Sequence, residues 1–148
     1  MKEDIEREAH SIVEKYGTSS PFSLCDCIGV PVIKMEIPDS IKGFYFKGET
    51  GGPAIVLSNR LSSLESSYCC AHELGHVLLH PRMNAQTVKD LTYLCIPKYE
   101  KEADFFAACL FIYPNIKEWN ETYDPLTLQQ IASLSGLPRK IVELRFEH

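Results

Sequence analysis

His72 and His76 stand four residues apart within Cys69-Cys70-Ala71-His72-Glu73-Leu74-Gly75-His76-Val77-Leu78-Leu79-His80. On a helix that spacing places both imidazoles on one face, about one turn apart. Two imidazoles so placed can share one metal ion, at about 2.0–2.1 Å each for zinc. Glu73 lies beside them, within reach of a proton on a water that the metal activates. The pattern is H-E-x-x-H, and its specificity comes from fixing both residue types and offsets. Two ordinary histidines with a stray glutamate would need neither the offsets nor the apolar helical surroundings found here. The run therefore reads as a metal site.

A catalytic zinc takes three protein ligands and leaves one position open. His80 continues the same face, but it lies eight residues from His72, about 12 Å along the axis. That excludes it from the same coordination sphere and leaves it an outer position, or one at the helix C-terminus. A three-histidine extension would need glycine at 79 and histidine at 82, where the chain has Leu79 and Arg82. The third ligand is sought instead on a helix opened by Pro97. Glu100 and Asp104 share a face there, so one carboxylate can bind the ion while the other accepts a ligand histidine's free N–H. Ala103, Ala107 and Ala108 are small enough to bring this helix close to the first. Glu102 competes for the ligand role, and an ordinary solvated acidic face competes with both.

The elements that must position these groups follow from periodicity. Ile5, Ala9, Ile12, Val13 and Tyr16 form one helical stripe, closed by Gly17. Ser20 and Pro21 start a short helix that ends near Ile28. Runs at 30–35, 43–47 and 54–58 read as strands, the last two joined as a hairpin through a glycine-rich link. Asn59 or Ser62 caps the long helix carrying His72, which stops before Pro81. Gly75 in mid-helix costs about 1 kcal/mol against alanine and implies the close approach of another backbone. Residues 82–97 resist assignment. Leu126–Pro138 and Arg139–Phe146 complete the chain as a helix pair after a connector containing Trp119.

The totals bound the rest. A chain of 148 residues, 45% apolar and 24% charged, reads as one ordinary globular domain spanning 1–148. A net charge of −5 offers no general attraction for nucleic acid or anionic membrane. No apolar run approaches a membrane span, and the charged opening Met1–Glu8 lacks the apolar core of a secretory signal. A cytoplasmic location is expected. Cys25, Cys27, Cys69, Cys70, Cys95 and Cys109 form no C-x-x-C pair and read as reduced, mostly buried thiols, with a Cys25/Cys27 metal or redox site as the weaker option.

Together the two motifs resemble the ImmA/IrrE family of small zincin-like metallopeptidases. The family pairs H-E-x-x-H with a later E-x-x-A-(N/D)-x-F-A, here Glu100-Lys101-Glu102-Ala103-Asp104-Phe105-Phe106-Ala107. Ile55-Val56-Leu57-Ser58 before the first motif and Val77-Leu78-Leu79-His80 after it also match, so the likeness covers most of residues 1–113. Phe111-Ile112-Tyr113-Pro114 departs from the leucine- or methionine-rich run of many relatives, a difference in packing. The resemblance implies an α+β zincin-like fold, a small and mostly antiparallel sheet packed on a helical core. It implies His72, His76 and Glu100 as zinc ligands, Asp104 behind them and Glu73 as general base. Manganese or iron suits the same donors. It also implies an intracellular protein substrate, a helix-turn-helix repressor whose cleavage relieves repression.

Two features of the site stay open at this level. Tyr93, Tyr99 and His80 are the nearby candidates for an oxyanion donor. Ile55, Val56 and Leu57, on the strand before the metal helix, are candidates to bind an extended substrate by β-augmentation. A rival reading comes from residues 122–148, whose Gln130–Val142 spacing resembles a helix-turn-helix. Arg139, Lys140 and Arg145 balance Asp124, Glu143 and Glu147 there, so the basic face of a DNA reader is missing. The pair is expected to pack on the domain or dock a partner, with DNA binding and a purely structural metal as the alternative. A structural site, however, has no use for Glu73.

Overall fold

The fold was analysed in a computed structural model, which describes residues 2–48, 51–81 and 97–147. Helices α1 (Lys2–Tyr16) and α2 (Pro21–Ile28) come first, followed by strands β1 (Val32–Met35), β2 (Gly43–Lys47) and β3 (Pro53–Ser58). Five helices complete the described chain: α3 (Ser63–Leu79), α4 (Pro97–Ile112), α5 (Ile116–Thr122), α6 (Leu128–Ser135) and α7 (Arg139–Phe146). The result is α+β. The connector containing Trp119 is itself helical over α5.

The sheet is mixed, which corrects the expectation of a mostly antiparallel one. β2 and β3 form the expected antiparallel pair, with Tyr45 opposite Ile55. β1, however, joins the other side of β3 in parallel, with Val32 opposite Ile55, giving the order β1-β3-β2. The physical reason is visible in β3 itself. Ala54-Ile55-Val56-Leu57 is an unbroken apolar run, every residue of which is buried, as a strand covered on both sides demands.

The same order overturns the assignment of Ile55, Val56 and Leu57 as the substrate-binding strand. β3 is the central strand, so its backbone groups on both sides are already spent on β1 and β2. No extended peptide can add there.

Local chemistry sets the ends of α3, the helix carrying His72 and His76. Ser62 accepts from the Glu65 N–H while Glu65 accepts from the Ser62 N–H, a reciprocal capping box. At the other end the backbone N–H of His80 closes on the His76 carbonyl at 2.8 Å, just before Pro81. The expected close approach at Gly75 is present. A Cβ there would meet the Phe106 ring at 3.1 Å and the Ala103 Cα at 3.3 Å. Glycine on α3 and alanine on α4 thus let the two helices nearly touch.

Packing divides into two clusters that share α4. Ile5, Leu24, Tyr45, Ile55, Leu57, Cys70, Leu74, Phe106 and Leu110 form the larger cluster, between α1–α4 and the sheet. Ala108 and Ile112 of α4 join Ile131, Leu137, Ile141 and Val142 in a second cluster under α6 and α7. The thiols expected to be buried are so at Cys25, Cys69, Cys70 and Cys109, while Cys27 is exposed. Among the described residues no helix is long and apolar enough to cross a membrane.

Candidate metal centre

The close α3–α4 packing brings the two motifs face to face. The Nε2 atom of His72 lies 3.0 Å from Glu100 Oε2, and Nε2 of His76 lies 2.9 Å from Glu100 Oε1. One ligand atom from each of the three residues falls within 4.8 Å of the others, and among the described residues this group can hold a metal ion. Two imidazole nitrogens and a carboxylate are the donor chemistry that a catalytic zinc prefers. The residues present therefore fit the ion that the motifs imply.

The far nitrogens are committed as well. Nδ1 of His72 lies 2.8 Å from Asp104 Oδ1, so Asp104 accepts the ring N–H and turns Nε2 toward Glu100. The Tyr68 hydroxyl donates to the same Asp104 oxygen. Nδ1 of His76 lies 3.0 Å from Nδ1 of His80, whose Nε2 lies 2.8 Å from Glu102 Oε1. Glu102, the rival ligand, is therefore directed at His80 and away from the three-residue cluster.

Electrostatics follow from this crowding. Burial pulls the His72 imidazole down, but its bonds to Asp104 and Glu100 and the Glu73 charge outweigh that and carry it up to about 10. Burial would likewise raise Glu100, yet hydrogen bonds from His72 and His76 hold it well below the usual carboxylate range. Glu73 is pushed the other way, up to about 8, chiefly by burial against a partial offset from His72. Burial also lifts the Cys69 thiol to about 12, so this neighbour stays a thiol and is a poor metal ligand. Burial lowers His80, against an opposing pull from the Glu102 hydrogen bond.

The cluster opens on a cleft of about 860 Å³. Its floor is α3, with Tyr68, His72, Glu73 and His76 facing it, and Gly43, Phe44 and Tyr45 of the β2 edge form one wall. The lining also includes Lys140 and Ile141 at the start of α7. Of the expected oxyanion donors, His80 has both ring nitrogens engaged, and the Tyr99 ring packs on His80 with centroids 4.3 Å apart. Tyr93 lies outside the described residues.

Sequence reasoning passed over several participants. Tyr68 is one turn before His72, so the helical spacing that found His76 also pointed to it. Tyr45 stacks on His76 with ring centroids 5.6 Å apart, and its hydroxyl donates to the His80 carbonyl at 3.4 Å. Strand alternation alone would have turned it inward with Gly43. Nothing local signalled Lys140 and Ile141, because only the tertiary fold carries α7 to the cleft.

A mixed fold with two histidines and a glutamate converging beside a buried carboxyl defines the class as metallopeptidase-like. The chain belongs to the peptidase M78 family, described as the IrrE N-terminal-like domain, whose model matches residues 25–147. It is 34% identical over 143 residues to "Uncharacterized immunity region protein 2" of Bacillus phage phi105, covering 95% of this chain and 88% of that one. It is 22% identical over 142 residues to "Metallopeptidase ImmA" of Bacillus subtilis (strain 168), covering 95% and 83% respectively. Among solved structures, a Mycobacterium tuberculosis transcriptional regulator superposes with a TM-score of 0.64 at 14% identity. That match covers 97% of this chain but 46% of the regulator, and it speaks for the fold alone.

Proposed function

We propose that the chain is a zinc-dependent endopeptidase with His72, His76 and Glu100 as ligands and Glu73 as general base. The observation that carries this reading is the convergence of both Nε2 atoms on Glu100, with Glu73 facing the same cleft. When bound, the ion supplies Lewis acidity toward a peptide carbonyl and toward water. Glu73 takes the proton of the attacking water and delivers it to the leaving amine. Its burial, which raises its proton affinity, makes it a stronger acceptor than a solvated carboxylate once ionised. Asp104 and Tyr68 hold His72 in one orientation throughout.

The substrate is a protein segment lying extended in the cleft. Among the described residues β2 is the outer strand of the sheet, so its side away from β3 replaces the buried β3 as the place where a peptide adds. Lys140 and Ile141 of the cleft lining contact the segment. A small helix-turn-helix repressor suits the family and the immunity-region relative, and its cleavage would make this chain an antirepressor acting in the cytoplasm. Co-expression with a small repressor encoded nearby tests the reading. Wild type should cut the repressor and Glu73→Gln should leave it whole; equal cleavage by both would remove Glu73 from the chemistry.

A further inference from the structure

His72 and His76 are both held by their far nitrogen, but by different means. A single carboxylate on α4 accepts from His72, whereas His76 meets another imidazole. That imidazole, His80, is 7% exposed, unlike the solvated histidine usual at a helix end. Its position is fixed from several directions. The backbone N–H donates to the His76 carbonyl at 2.8 Å, the carbonyl accepts from the Tyr45 hydroxyl, and the Tyr99 ring lies against the imidazole.

The order of donors follows from Glu102. A carboxylate only accepts, so the His80 Nε2 that lies 2.8 Å away carries the hydrogen. The two Nδ1 atoms lie 3.0 Å apart, so one carries the hydrogen and the other accepts; with the His80 hydrogen on Nε2, its Nδ1 accepts from Nδ1–H of His76. His76 is thereby the tautomer whose Nε2 lone pair is available on the Glu100 side. Glu102 is about 200° round α4 from Glu100, at about 100° per residue, so one helix addresses both the cluster and its support.

We propose that His80 and Glu102 are positioning residues that act in series on His76, with Glu102 acting through His80. The pair does for His76 what Asp104 does for His72. This rests on the reading of His76 as a metal ligand.

The test titrates the metal-free full chain with zinc against a chelator of known affinity, and records the visible spectrum of the cobalt(II)-loaded protein. His80→Leu should lose about 10–100-fold in zinc affinity and shift the cobalt bands. His80→Gln should recover most of both, because its amide oxygen can accept from His76 while its NH₂ donates to Glu102. Glu102→Leu should also weaken zinc, and the double variant should be no weaker than His80→Leu alone. Glu102→Gln keeps the side-chain volume, guarding against a folding failure; it should weaken zinc while the metal-free protein melts as wild type. Unchanged affinity in His80→Leu or Glu102→Gln overturns the proposal, as do additive losses in the double variant or a His80→Gln no better than His80→Leu. If wild type itself binds no zinc, the metal-site reading falls first.

Discussion

Two of the molecule's packed helix pairs, α3–α4 and α6–α7, are built on opposite terms. The first is drawn together by Gly75 against Ala103, and in the space so gained it buries Glu73 and His76 and half-buries His72 and Glu100. The second turns at Gly136, whose φ of 78° suits glycine, and it packs Ile131, Ala132, Leu137, Ile141 and Val142. One pair spends packing on holding charge; the other packs apolar groups. The tail with helix-turn-helix spacing is thus anchored by its apolar face to α4, with Lys140 and Ile141 in the first turn of α7 lining the same cleft as His72 and His76.

The comparison can be broken most severely at Glu73. Glu73→Gln should lower the peptide-cleavage rate about 10²–10⁴-fold, the usual worth of a positioned general base, and leave zinc stoichiometry unchanged. In the tail, Ile131→Ala should cost about 2–5 kcal/mol of stability by denaturant unfolding, and equally with or without zinc. A difference between those two forms would mean that the pairs are coupled. Asp104→Asn should weaken zinc about 10–100-fold in a chelator competition, because His72 loses its ionised acceptor.

Proton linkage sharpens the contrast. A carboxyl raised from 4.5 to about 8 favours the folded state while protonated, so Glu73 makes folding less favourable as pH climbs from 4.5 through 8. An imidazole raised from 6.5 to about 10 gives stability that is fully present below 6.5 and lost as pH rises through 10. Both act in one direction, so the melting temperature of metal-free protein should fall between pH 5 and 9. Glu73→Gln should flatten the lower part of that fall, and no tail substitution should alter it. The smallest effect expected is at Ser62, where Ser62→Ala should cost about 1 kcal/mol through loss of the α3 cap.

How much was readable in advance depended on distance along the chain. His72, Glu73 and His76 are fixed by one helix's own period, and the α4 candidates by another's. Choosing Glu100 over Glu102 needed the family resemblance, because only the crossing of α3 over α4 turns Glu102 toward His80. The strand order was hidden for the same reason: local alternation names strands but not neighbours, although the unbroken apolar run of β3 did mark a central strand. That oversight misplaced the substrate edge. The approach of Lys140 to a cleft formed nearly seventy residues earlier leaves no local trace at all.

X-ray absorption at the zinc edge of the loaded protein addresses the central claim most directly. Two helices meeting across one ion predict only nitrogen and oxygen neighbours, at about 2.0–2.2 Å, with one light scatterer lost in Glu100→Ala. A sulfur shell at about 2.3 Å would bring in a cysteine such as Cys69, which lines the same cleft, and would contradict the account.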